Sequence, residues 1–173
     1  MILSSSNVNK IKEYKSYIPN LEVIQGKDLP EVKSDSKTVI IYKSFDMGPS
    51  FLVEDTILEV NGKEVVDIRW KINELKEGDK ALWITRIAYN NGDSIVVYKG
   101  VIEGVITKNK IVKGFGFDPY FIPKGSKKTL TELEDEKQKY SARYLAIKNL
   151  LNKNIEFQVK VADISPWKGD YQH

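Results

Sequence analysis

Apolar residues along this chain fall into short blocks whose spacing switches between strand-like and helical. Residues 1–4 suit a short buried strand, and residues 9–17 set Ile11, Tyr14 and Tyr17 at helical spacing. Ser5-Ser6-Asn7 joins the two blocks. A strand that enters a helix through small polar residues leaves backbone N–H groups free at the helix start, where phosphate oxygens bind well. Residues 21–25 read as a second strand. Residues 34–45 are mixed, because Thr38-Val39-Ile40-Ile41-Tyr42 favours β structure while its flanks look helical, and the helical reading is adopted. Phe51-Leu52-Val53 reads as a short apolar strand that delivers Glu54-Asp55 at its carboxyl end, where open α/β sheets place ligands.

Beyond this point the pattern predicts longer strands. Residues 58–66 contain Asn61-Gly62, a two-residue hairpin signal, and residues 67–75 form a helix carrying Trp70. Residues 81–89 and 94–106 are two long strands joined through Asn90-Asn91-Gly92-Asp93. Thr131-Glu132-Leu133-Glu134 has the form of a capping box, and Ser141 is placed to cap a final helix carrying Leu145, Ile147, Leu150 and Leu151. Long antiparallel strands among βα units make the sheet mixed. Neither an internal repeat nor a linker divides these elements.

Composition narrows the chemistry. The 173 residues fit one domain of ordinary size or two small lobes, and 41% hydrophobic with 29% charged residues is the balance of a globular chain. Cysteine is absent and the single histidine is residue 173, so disulfides, thiolate zinc sites and histidine catalysis are not expected. No basic region leads into a long apolar run, and no segment approaches the roughly 18 apolar residues of a membrane span. A cytoplasmic protein without a membrane partner is expected. The net charge of +3 comes from scattered basic residues, short of a nucleic-acid footprint.

Several segments have chemical potential. Gly114-Phe115-Gly116-Phe117-Asp118-Pro119 alternates glycine with aromatics, which suits either a Gly-kinked strand with buried rings or a flat wall against a planar base. Glu54 and Asp55 are neighbours on a strand, so their side chains point to opposite faces and one of them is the candidate to hold Mg²⁺ and deprotonate water. The alternative is an acid that caps the following turn. Glu31, in Asp28-Leu29-Pro30-Glu31, is either a surface acid or a second metal ligand. Lys10 and Lys137 are either solvated or phosphate-binding, and Arg143 has the planar donor fork that could read a base carbonyl.

Taken in order, these segments resemble the inosine triphosphate pyrophosphatase family, enzymes that clear aberrant purine nucleoside triphosphates. Ser5-Ser6-Asn7-Val8-Asn9-Lys10 resembles that family's phosphate loop, and Asp28-Leu29-Pro30-Glu31 its metal-ligand loop. Val53-Glu54-Asp55-Thr56 is similar to its catalytic strand end, residues 114–121 to its base pocket, and Glu136-Lys137 with Ser141-Ala142-Arg143 to its lysine and arginine element. The match runs from about residue 4 to residue 151, which sets a domain over residues 1–154 and an extension over residues 155–173, packed on that domain or at a dimer interface.

The resemblance implies an α/β fold with an elongated mixed sheet flanked by helices, in two lobes with the site in the cleft between them. It implies Mg²⁺-dependent hydrolysis of ITP, dITP or XTP to a monophosphate and pyrophosphate, by a homodimer. Asp55 would be the general base, and Asp55 with Glu31 would hold Mg²⁺. Ser5, Ser6, Asn7, Val8, Asn9, Lys10, Thr56 and Lys137 would bind the triphosphate side, and Phe115, Gly116, Phe117, Asp118, Ala142 and Arg143 the base side. Two departures stand out. Ala142 replaces the family's usual histidine, which implies altered base preference, and Ile57 replaces a small residue and is expected to crowd a turn after Asp55. A nucleotide-binding protein without turnover on the same fold is the alternative.

Overall fold

The computed structural model describes residues 1–108, 114 and 116–172. In chain order the elements are β1 (Ile2–Ser4), α1 (Val8–Tyr17), β2 (Glu22–Ile24), β3 (Glu31–Val32), α2 (Ser36–Met47), β4 (Phe51–Val60), β5 (Lys63–Val65) and α3 (Ile68–Lys71). There follow β6 (Lys80–Asn90), β7 (Ser94–Ile106), β8 (Phe121–Pro123), α4 (Leu130–Leu133), α5 (Ala142–Leu151), β9 (Phe157–Lys160) and β10 (Tyr171–Gln172). The principal sheet is mixed and runs β2-β1-β4-β6-β7-β8, with β5 added on β4 and β9 on β7, while β3 and β10 form a separate pair. This is the α/β fold with helix-flanked mixed sheet that the sequence pattern predicts.

The chain divides into two compact units. The first comprises Met1–Asp55, Arg86–Lys99 and Tyr144–His173, and the second Thr56–Thr85 and Gly100–Arg143.

In the first unit, strand alternation builds a three-layer sandwich. Leu3, Leu52, Ile87, Val96 and Tyr98 pack with Tyr14 of α1 and with Ala146, Ile147 and Leu150 of α5. The intervening positions Val53, Ala88, Ile95 and Val97 pack with Ile40 of α2, against which Phe157, Val161 and Ile164 also lie. Because successive strand side chains point to opposite faces, β4, β6 and β7 each feed both cores. Parallel pairing of β1 with β2 and β4 sets the register, with Leu3 opposite both Val23 and Leu52.

In the second unit, Leu58, Val60, Ala81 and Ile106 of the sheet pack against Ile68, Tyr120, Phe121, Leu130 and Leu133. Asn61 and Gly62 both adopt positive φ, at 50° and 81°, as the two-residue hairpin between β4 and β5 requires.

Three local expectations need correction. The strand expected over residues 51–53 continues to Val60, so Glu54 and Asp55 lie inside β4 and no turn follows them for Ile57 to crowd. A charged pair normally marks a strand end, but here Lys10 and Tyr14 compensate Glu54, and Lys43 and Arg86 only partly offset the cost of placing Asp55. The capping box is formed by Thr129 and Glu132, two residues before the expected one: Thr129 Oγ1 accepts from the Glu132 N–H and Glu132 Oε1 from the Thr129 N–H. The helix expected over residues 67–75 is one α turn, α3, continued by a 3₁₀ turn at Ile72–Glu74.

Candidate active site

Within the first unit, β1 pairs with β4 only at Phe51 and Leu52. The strand therefore runs on past its neighbour, and Glu54, which follows, borders a cavity of about 200 Å³ beyond the carboxyl end of β1. Lys10, Lys27, Asp28, Glu31, Lys43, Asp46 and Glu54 supply its charged lining.

Alternation separates the two acids of β4. Glu54 has the parity of Leu52 and turns toward α1, where Lys10 Nζ lies 3.1 Å from Oε2 and the Tyr14 hydroxyl donates to Oε1 at 3.0 Å. Glu54 is therefore a buried, partnered carboxylate. Asp55 has the parity of Val53 and the α2 side. Its pKa is pushed up to about 6, first by burial and further by the Glu31 and Glu54 charges, against the opposing pull of Lys43 and Arg86. Glu31 is thus an electrostatic neighbour of Asp55. Among the described residues, no three His, Asp or Glu side chains are gathered tightly enough to hold a metal ion unaided.

The segment before α1 is locally bonded. Asn7 Oδ1 caps the helix by accepting from the Lys10 N–H at 3.0 Å, and Ser5 Oγ accepts from the Asn7 N–H at 3.1 Å. Ser6 Oγ accepts from the Gly26 N–H at 3.1 Å. Self-capping takes one of the donors expected to be free at the helix start and leaves the first-turn N–H groups of Val8 and Asn9, both exposed residues, outside the helix ladder.

The second unit carries the aromatic segment. Phe117 packs edge-on against Trp83 and Phe121, with ring centroids 6.0 and 5.9 Å apart. Gly116 is exposed at φ 58°, and Gly114 lies at φ 127° beside Thr131 and Pro119 with no room for a Cβ atom. Asp118 opens a 3₁₀ turn and accepts a hydrogen bond from Lys137 Nζ. Two residues assigned to different ends of the substrate are therefore paired. Thr56 is exposed and shares a 2.9 Å hydroxyl contact with Thr85. Phe115 lies outside the described residues. Arg143 is half-buried in the first turn of α5, and Ala142 before it is fully buried, so its methyl group serves packing.

Lys43 escaped the sequence reading. Its Nζ donates to the Glu54 carbonyl at 2.8 Å, and its charge acts on Asp55. The available signal was a lysine on a helix otherwise rich in apolar residues. Asp46, one turn further and raised by burial, was missed for the same reason.

A mixed α/β sheet with a lysine- and carboxylate-lined cavity beside its first βα connection defines the class, and the Ham1 family model matches residues 1–153. The chain belongs to the Ham1 family. It is 29% identical over 174 residues to the dITP/XTP pyrophosphatase of Korarchaeum cryptofilum, covering 87% of this chain and 93% of that one. It is 28% identical over 170 residues to the inosine triphosphate pyrophosphatase of Batrachochytrium dendrobatidis, covering 85% and 90%. Among solved structures, the Staphylococcus aureus Ham1 protein aligns with a TM-score of 0.69 at 26% identity, over 88% of this chain and 96% of that one. No helix among the described residues is long and apolar enough to cross a membrane.

Proposed function

We infer that this chain hydrolyses purine nucleoside triphosphates with aberrant bases, such as ITP, dITP and XTP, to the monophosphate and pyrophosphate. Relatives with those printed activities cover most of the chain, and one observation carries the chemistry: Asp55, half-buried, with its pKa raised to about 6. A carboxyl tuned toward neutrality is a better proton acceptor than an ordinary aspartate and remains ionised at pH 7. Asp55 takes a proton from water as its oxygen bonds to the α-phosphorus, and the bond from that phosphorus to the bridging oxygen breaks to release pyrophosphate.

The oxygen donors and clustered negative charge of Glu31 and Asp55 fit a hard divalent cation, which would relieve their mutual repulsion. Asp55 and Glu31 would hold Mg²⁺, with water and phosphate oxygens completing the shell, and the ion would offset charge developing on the phosphates. Glu54 is already balanced by Lys10 and Tyr14. Lys10 therefore serves two anions, exchanging part of its contact with Glu54 for a phosphate oxygen. The N–H groups of Val8 and Asn9, in the first turn of α1 just after Ser5, Ser6 and Asn7, donate to another, and Lys137 meets the remaining charge. Thr56 hydrogen-bonds on the triphosphate side.

Phe117 walls the base beside Gly116, the family resemblance assigns Phe115 to the same role, and Asp118 and Arg143 meet the edge of the base. Pairing with Lys137 holds Asp118 in place. A fully buried methyl at Ala142 supplies no hydrogen bond to the base, which supports a relaxed choice among purines. Cytoplasmic location and a homodimer belong to the same reading, and light scattering tests the latter.

The decisive experiment offers ITP, dITP, XTP, GTP and ATP with Mg²⁺ and scores pyrophosphate and monophosphate, with Asp55→Asn in parallel. Full activity of Asp55→Asn would overturn the mechanism. An undiminished strong preference for ITP over ATP would overturn the relaxed base choice.

A further inference from the structure

The family model ends at residue 153, yet the next nineteen residues of the 173 fold back onto the first unit and finish beside Glu31. We propose that this C-terminal segment is a strap that sets the position of Glu31 as a metal ligand, with Trp167, Tyr171 and Gln172 as positioning residues. The proposal rests on the assignment of Glu31 to the metal made above.

The strap is anchored at both ends. At its start, Arg86 Nε donates to Glu156 Oε1 at 2.8 Å, Arg86 Nη1 donates to Ser36 Oγ at 2.8 Å, and Lys99 Nζ lies 3.3 Å from Glu156 Oε2. β9 then adds to β7, with Ile95 opposite Val159 and Val97 opposite Phe157. In its middle, the Tyr42 hydroxyl donates to the Ser165 carbonyl at 2.6 Å, and the Trp167 ring meets the Tyr42 ring edge-on at 5.2 Å. Tyr42 itself lines the cavity that contains Glu31. Trp167 Nε1 donates to the Asp170 carbonyl at 2.9 Å, which bends the chain into β10.

At the far end, β10 is the sole strand partner of β3 among the described residues. Tyr171 pairs with Val32 and Gln172 with Glu31. The Lys33 N–H donates to the Asp170 carbonyl and Gln172 Nε2 to the Val32 carbonyl, both at 2.9 Å. Val32 is buried, so the pleat turns Glu31 to the other side of the strand. The preceding residues 25–30 belong to no helix or strand. Burial of Val32 against α2 fixes one side of this two-residue strand, but its only backbone ladder among the described residues is with β10, and a metal ligand functions only when its orientation is held by neighbouring groups. The strap supplies that hold from outside the region the family model spans.

The test uses Mn²⁺ as the metal probe, read by electron paramagnetic resonance, beside the Mg²⁺ dependence of pyrophosphate release from ITP. Four proteins are compared: the full chain, a chain stopped after Gly169, Trp167→Ala and Glu31→Gln. Loss of an outer-shell support is expected to weaken Mn²⁺ binding by about tenfold in both strap variants. The Mg²⁺ concentration for half-maximal rate should rise with it, by a larger factor than kcat falls, while the melting profile stays cooperative. Should the shortened chain fail to fold, Trp167→Ala decides. If Glu31→Gln weakens Mn²⁺ binding but the folded strap variants bind like the full chain, the strap proposal alone is wrong. If Glu31→Gln leaves Mn²⁺ binding unchanged, the metal assignment fails and the strap proposal with it.

Discussion

The two units concentrate different kinds of interaction around their candidate residues. In the first, charge is crowded and buried: Glu54 is held by Lys10 and Tyr14, Arg86 by Glu156 and Ser36, and Asp55 sits among them with its pKa raised. In the second, the candidate wall is built from ring edges, with Phe117 against Trp83 and Phe121 and one ion pair between Asp118 and Lys137. Buried charge is expensive and directional, so a small displacement alters chemistry. Aromatic contact is tolerant of the guest, so it supplies affinity with little discrimination. The division predicts that substitutions in the first unit act on rate and stability, and those in the second on binding and choice of base.

The largest effect is expected for Asp55→Asn, which should lower the rate of pyrophosphate release by about 10²–10⁴-fold, the range for loss of a general base. A loss below tenfold would erase the contrast between the units. The next largest is a stability effect at the strap. Glu156→Ala leaves the buried Arg86 guanidinium without its carboxylate and should cost about 3–5 kcal/mol by chemical denaturation. Replacing Arg86 and Glu156 together by apolar residues should recover much of that.

A smaller effect is a stability gain at the catalytic acid. Asp55 is raised from 3.8 to about 6, so between those values the folded protein binds the proton that the unfolded chain releases. Stability contributed by this group is therefore present at low pH and is lost as pH rises through about 6. Asp55→Asn should match the parent's stability near pH 4 and exceed it above pH 6.5 by about 1–2 kcal/mol, seen as a higher melting temperature. Glu156 has the opposite sign, since Arg86 and Lys99 lower its pKa, and its contribution is lost on acidification. Equal melting temperatures for parent and Asp55→Asn at both pH values would show that Asp55 carries no strain.

The smallest expected effect lies in the second unit. Asp118→Asn breaks a half-exposed ion pair with Lys137 and should change stability by less than about 1 kcal/mol. It should nevertheless change the ratio of kcat/KM for ITP over ATP more than it changes kcat for ITP. The reverse pattern would move Asp118 out of base recognition and into the chemistry.

Periodicity made much of the architecture legible. The α1 and α2 helices, the long β6 and β7 strands and the Asn61-Gly62 hairpin follow from local spacing and turn chemistry. The full length of β4 did not, because two adjacent acids resemble a strand end until their partners are known. Those partners, Lys10, Tyr14 and Lys43, come from two different helices. Lys43 was illegible for a related reason: a lysine among the apolar residues of a helix acquires meaning only when the sheet places the Glu54 carbonyl and the Asp55 charge near it.

The sequence alone determined which chemical groups are present and where they recur: two neighbouring acids that must face apart, a small polar entry to the first helix, glycines alternating with aromatics, and no cysteine or internal histidine. These are consequences of covalent order and pleat. Only the tertiary structure decided that Glu54 is neutralised while Asp55 is perturbed, that Asp118 and Lys137 pair, and that the C-terminal segment reaches β3. Desolvation and long-range charge depend on what surrounds a group in space, and residues more than a hundred positions apart become neighbours only when the chain folds.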